Sequence, residues 1–125
     1  MLAILVVVGL GACSPSNLDV ERRVAAEAYR IERGDRSAKA SEAECEVPSS
    51  TRHGTTELVY TVCTVRGSRY ELQANYFGPA GRPTSVDIRA YYGILPSPMV
   101  VKCGFTYNGQ RWNLGTCKPG SAEPR

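Results

Sequence analysis

The chain is expected to adopt an α+β fold, with one N-terminal amphipathic helix packed on an antiparallel sheet of five to six strands and braced by two disulfides. Three observations predict it. Apolar residues first recur at helical spacing and then, from Cys45 onward, at a spacing of two. Four cysteines fall on either side of turn-forming glycines. A length of 125 residues, 42% of them hydrophobic, is enough for one core and too short for several. A half-open barrel is the alternative, because the strand-rich part alone holds enough apolar residues to curl on itself.

The helix is expected over residues 17–33. Asn17 is suited to cap it, and Asp19 and Glu21 complement its positive end. Val20, Val24, Ala28 and Ile31 form an apolar stripe with Leu18 and Ala25 beside it, and Arg30 and Arg33 precede a terminating Gly34. Residues 35–44 are rich in Ala and Glu and suggest a second, weakly packed helical piece.

Strands are expected from about residue 45. Residues 58–65 are apolar or threonine on both faces, as in a central strand. Tyr70, Leu72, Ala74 and Tyr76 alternate with Arg69, Glu71, Gln73 and Asn75, which is the pattern of a strand with one buried and one wet face. Val86, Ile88, Ala90 and Tyr92 repeat it against Ser85, Asp87, Arg89 and Tyr91. Residues 99–107 and 110–114 form a last hairpin, and residues 119–125 a flexible tail.

The disulfides follow from turn geometry. Cys45 and Cys63 are equidistant from Gly54, so a hairpin through His53-Gly54-Thr55 sets them opposite each other. Cys103 and Cys117 then pair across an Asn108-Gly109 turn. A two-residue loop there sets Phe105 opposite Trp112 and Cys103 opposite Leu114, leaving Cys117 on the wrong face unless Gly115 supplies a bulge. No pair of cysteines has the close spacing of a zinc site, so no metal is expected.

The fifth cysteine has a different use. Residues 1–12, MLAILVVVGLGA, form an uncharged apolar run too short to span a bilayer and about the length of a signal-peptide core. The run ends in Leu10-Gly11-Ala12-Cys13, which resembles the lipobox of bacterial lipoproteins: an aliphatic residue, two small residues and a cysteine. The resemblance covers these first residues alone. It implies that residues 1–12 are a cleaved signal peptide, that the Cys13 thiol carries a diacylglyceryl group, and that residues 13–16 tether a single domain over residues 17–118. With Ser14 next to the cysteine, it further implies the outer membrane, facing the periplasm. An exported chain matures in an oxidising space, consistent with two disulfides.

Candidate chemistry is sparse. His53 is the single histidine and falls in a predicted turn, with no nucleophile or orienting carboxylate fixed beside it. Glu42, Glu44 and Glu46 alternate without an acid–base partner. No enzyme activity, catalytic residue or cofactor is therefore expected. Charge is more informative: residues 14–46 hold six basic and eight acidic side chains, residues 47–125 nine and four. Arg66, Arg69, Arg82, Arg89 and Arg111, with Lys102 and an exposed Tyr91, make a candidate patch for an anionic partner. At this address the partner is an envelope protein or an anionic envelope polymer, with the membrane held through the lipid, and not nucleic acid. The expected function is a lipid-anchored, non-catalytic binding or assembly-accessory protein of the cell envelope. The alternative is an inhibitor of a cell-wall hydrolase such as lysozyme, since Gly67-Ser68-Arg69-Tyr70 bears a faint resemblance to motifs of lysozyme-inhibiting lipoproteins.

Overall fold

The computed structural model describes residues 15–93 and 98–120. The apolar run expected to be a signal peptide, Cys13 and residues 121–125 lie outside them. Chain order is helix α1 (Pro15–Arg33), one 3-10 turn (Ala40–Glu42), then β1 (Ala43–Cys45), β2 (Ser49–His53), β3 (Thr56–Val65), β4 (Ser68–Phe77), β5 (Ser85–Tyr92), β6 (Met99–Tyr107) and β7 (Trp112–Pro119). All pairings are antiparallel, in the order β1-β3-β4-β5-β6-β7, with β2 following β1 along the same edge of β3. The sheet does not close into a barrel. One helix on a seven-stranded antiparallel sheet is thus the expected α+β arrangement with a slightly higher strand count.

Helix α1 begins two residues earlier than expected, at Pro15, whose missing N–H costs nothing in a first turn. Asn17 is therefore inside the helix and not its cap. Val20, Val24, Ala25 and Ala28 are fully buried against the sheet, and Ile31 packs at the margin. Each buried valine contributes on the order of 1.5–3 kcal/mol, and the two alanines let the helix approach the strands closely. The helix touches β1 and β3 through β7, so its apolar stripe covers nearly the full width of one sheet face. The second helical piece reduces to the single 3-10 turn, closed by the Lys39 amide donating to Glu42 Oε1 at 2.7 Å. Residues 35–44 lack the apolar spacing that would hold a longer helix down.

Both bridges form as expected, between Cys45 and Cys63 and between Cys103 and Cys117, each with Cα atoms 4.0 Å apart. The route to the first differs. His53 pairs with Thr56, leaving a two-residue turn in which Gly54 has φ +62, the positive first position of a II′ turn. That register alone would put Cys45 one residue out. The chain corrects it between β2 and β1, where Pro48 lacks a ladder donor, and the Glu46 amide reaches Val62 O while Thr61 Oγ1 donates to Glu46 O. Cys45 then meets Cys63. The interruption also explains why two strands stand where one was expected.

The last hairpin closes through four residues, 108–111, because the Asn108 side chain accepts the amides of Gln110 and Arg111. Phe105 consequently faces Leu114, not Trp112, and Tyr107 faces Trp112. The pairing then shifts by one at Gly104/Phe105, with Gly115 as the extra residue, and Cys103 meets Cys117. Strand β7 continues through Pro119, so the expected tail starts later than residue 119.

Alternation holds along β4, where Tyr70, Leu72, Ala74 and Tyr76 are buried under the helix. It fails at the end of β5. Tyr91 is 4% exposed and Tyr92 40%, the reverse of expectation, next to a register shift at Ala90/Tyr91. Tyr92 lies opposite Tyr70 with ring centroids 5.5 Å apart.

Because the sheet is an up-and-down meander, successive turns alternate between its two ends. The β2–β3 turn, the β4–β5 loop (78–84) and the β6–β7 loop (108–111) share one end. They are joined there by the Gly78 amide donating to Thr55 O and the Tyr107 amide to Thr84 O, both at 2.9 Å. Gly78, at φ +133, leaves no room for a Cβ, which would meet Arg82 O and Thr84 N at 2.9 Å. The β3–β4 turn at Arg66-Gly67 lies at the opposite end.

Candidate binding face

The structure divides the expected basic patch into three places. Arg66 and Arg69 lie at the β3–β4 turn end, in ion pairs. Arg66 Nε and Nη2 each stand 3.0 Å from a Glu42 carboxylate oxygen, its Nη1 is 3.1 Å from Asp35, and its guanidinium lies over the Tyr29 ring at 5.5 Å. Arg69 is 3.8 Å from Glu46. Hydrogen bonds from Ser37, then the charge of Arg66, hold the Asp35 carboxyl below its usual range; hydrogen bonds from Arg66 and the Lys39 amide do the same for Glu42. These arginines are clasps between the helix, the 3-10 turn and the sheet.

Arg82 and Arg111 lie at the three-loop end, where Arg52 of β2 joins them and donates to Gly78 O. All three are exposed, and none makes an ion pair among the described residues. Tyr91 is buried and leaves the patch altogether.

Arg89 occupies the third place, the sheet face that the helix leaves uncovered. Register places Tyr60, Gln73, Arg89, Lys102 and Lys118 in one row across β3 to β7. Neighbouring strands are about 4.8 Å apart, so three cations stand side by side, an arrangement that destabilises a sheet unless something offsets it. None of the three makes an ion pair among the described residues. Next to this row is a shallow groove of about 260 Å³, walled by Ser49 and Thr51 of β2, Leu58 and Tyr60 of β3, Gln73 and Asn75 of β4, and Arg89. Leu58 and Tyr60 are 43% and 41% exposed. Two hydroxyls, two amides, a phenol ring and a guanidinium converge on an open surface.

Of two further titratable residues, one keeps its expected exposed place and one does not. His53 is the exposed last residue of β2, beside the Gly54 turn. Glu21, expected to complement the positive end of the helix, lies beyond its first turn, is 1% exposed, and neither carboxyl oxygen has a hydrogen-bond partner. Burial pushes its pKa up to about 7, and its charge in turn raises that of Tyr76, already raised by Tyr76's own burial. The sequence carried the signal: Glu21 precedes Val24, Ala25 and Ala28 by three, four and seven residues, which is the spacing of one helix face. Trp112, whose ring stacks edge-on against Tyr76 at 5.6 Å, also has a buried Nε1 without a partner. Among the described residues, no group of three or more His, Cys, Asp and Glu side chains is placed to hold a metal ion. Compared with known protein families, curated proteins and solved structures, the chain matches none of them, so no residue role is carried over from a relative.

Proposed function

We propose that this chain is a lipid-anchored, non-catalytic binding protein of the bacterial cell envelope, and that the face away from the helix holds an acidic saccharide of an envelope polymer. The observation that supports this best is the row Arg89, Lys102 and Lys118, unpaired among the described residues and continuous with the groove at Tyr60, Gln73 and Asn75. A carboxylate-bearing sugar chain offers charge to the row, hydroxyls to the amides and an apolar ring face to Tyr60. The lipobox at Cys13 supports the anchor and the address in the outer membrane. Two or more acyl chains hold a protein on a bilayer at about 0.8 kcal/mol per buried methylene.

Titration with polygalacturonate, with neutral dextran as control, tests the binding face. The parent is expected to bind the acidic polymer with an affinity that falls as salt rises. Arg89→Gln/Lys102→Gln/Lys118→Gln should weaken it roughly tenfold or more at low salt. Equal binding by parent and triple variant would defeat the reading. A lysozyme inhibition assay addresses the hydrolase-inhibitor alternative in the same preparation.

A further inference from the structure

We infer that the three-loop end of the domain docks on the acidic headgroups of the leaflet that holds the lipid anchor. The inference rests on the reading of Cys13 as lipidated, and adds to it an orientation and a second attachment.

The path of the helix sets the geometry. Arg23 Nη1 donates to Trp112 O at 2.9 Å, and its guanidinium lies over the Phe105 ring at 4.9 Å, so this part of α1 sits against the β6–β7 hairpin near its loop. Further on, the Tyr29 ring lies under Arg66, and Tyr70 Oη donates to Glu32, at the β3–β4 turn end. The helix therefore runs from the three-loop end toward the clasped end. Pro15, eight residues before Arg23, lies about 12 Å back along the axis, on the three-loop side. One residue, Ser14, separates Pro15 from Cys13, so the two Cα atoms are at most about 7 Å apart in any conformation. A lipid on Cys13 then enters the bilayer close beside the three loops, within the reach of a one-residue link.

The chemistry of that end fits the surface it would meet. Residues 53–55, 78–84 and 107–111 contain no carboxylate, and Glu57, opposite Arg52 on β3, makes no ion pair among the described residues. Arg52, Arg82 and Arg111 are exposed there without ion-pair partners among the described residues. A headgroup charge acts over a Debye length of about 8 Å, so only basic groups held near the surface benefit, and a one-residue link keeps these within that range. Each basic residue at an acidic bilayer surface strengthens attachment about fivefold, and three together on the order of a hundredfold. The opposite end, with Asp35 and Glu42 around Arg66, has no such excess. Docking in this pose leaves the groove face free along its side, open to an envelope polymer.

The test reconstitutes the full acylated chain into vesicles of phosphatidylcholine, with or without phosphatidylglycerol, and follows amide hydrogen exchange. Acidic vesicles are expected to slow exchange at residues 78–84 and 108–111 roughly tenfold relative to neutral ones, leaving residues 66–67 unchanged. Arg52→Gln/Arg82→Gln/Arg111→Gln should abolish the difference, and the Arg→Lys triple should keep it, because charge and not side-chain shape is at work. Unchanged exchange at β3–β4 in both variants confirms that each is folded. An acylated Cys13 with no lipid-dependent slowing, or slowing that survives the Gln triple, overturns the docking alone. An N-terminal peptide of unmodified mass overturns the anchor reading and the docking with it.

Discussion

The two ends of this domain use arginine in opposite ways. At the β3–β4 turn, Arg66 takes φ +49, an unfavourable angle for a side-chain-bearing residue, and is held there by Glu42, Asp35 and the face of Tyr29. Arg69 and Arg33 each have a carboxylate within 4.0 Å. At the three-loop end, Arg52, Arg82 and Arg111 make no ion pair among the described residues, although Glu57 stands opposite Arg52 on β3. A count of basic residues treats the two groups alike. Company separates them: a paired arginine spends its charge inside the fold, whereas an unpaired one presents it to whatever approaches.

The largest stability effect should come from cutting the clasped end loose. Cys45→Ser/Cys63→Ser removes the bridge that fastens β1 to β3 and should cost about 3 kcal/mol in chemical denaturation. Exchange should quicken in β1 and the 3-10 turn first, and residues 107–112 should respond only with global unfolding. A uniform response along the sheet would show that the two ends are not separable.

Next comes Glu21, on the half of the helix nearer the three loops. Its folded pKa of about 7 lies above its ordinary value of 4.5, so the folded state binds the proton more tightly than the unfolded chain does. Stability should therefore be full below about pH 4.5, decline as pH rises toward 7 and level off above it, by roughly 2–3 kcal/mol. Glu21→Gln should flatten this slope in thermal melts across that range. Asp35 and Glu42 act with the opposite sign: their lowered pKa values stabilise the clasp above the ordinary carboxylate range, and that contribution is lost as pH falls. The carboxylates of the two ends thus give opposing pH slopes.

The smallest effect tests the clasp itself. Arg66→Ala should lower stability, since it loses the carboxylate pairs and leaves the strained angle unrelieved. Arg66→Gly loses the same pairs but relieves the angle, and should be the more stable of the two variants in chemical denaturation. Equal losses in both variants would show that the φ angle carries no cost here.

Much of this architecture was legible from residue spacing. The two periods located the helix and β3 through β7, turn symmetry gave the first disulfide, and the second followed as the remaining pair. The first pairing was reached through two offsets that cancel: a turn shorter by one residue, and a compensating step at Glu46-Val47-Pro48. Spacing registers the sum of such offsets and not each one. The Gly115 bulge was readable, because strict alternation without it leaves Cys117 facing away from Cys103. The Tyr91/Tyr92 exchange was not, since it accompanies a shift against β6 that no local pattern in β5 records. The scattering of the basic patch was readable in principle. In a meander, alternate turns share an end, which groups Arg82 with Arg111 and sends Arg66 to the other side. Glu21 was missed because Arg22 and Arg23 follow it in sequence, while its neighbours in space are set by the helix period.

The order of pairing along the sheet also bears on how the chain reaches its native state. Except for the two short strands sharing an edge of β3, each strand pairs with the one before it, and the cysteines bridge in sequence order at separations of 18 and 14 residues. Pairing between strands adjacent in sequence lets the sheet form by local steps. A chain delivered N-terminus first can oxidise each hairpin as it emerges, with the first bridge closed before Cys103 is exposed. Joining the four cysteines of the domain in the order of their arrival yields the native set, so no reshuffling among them is required.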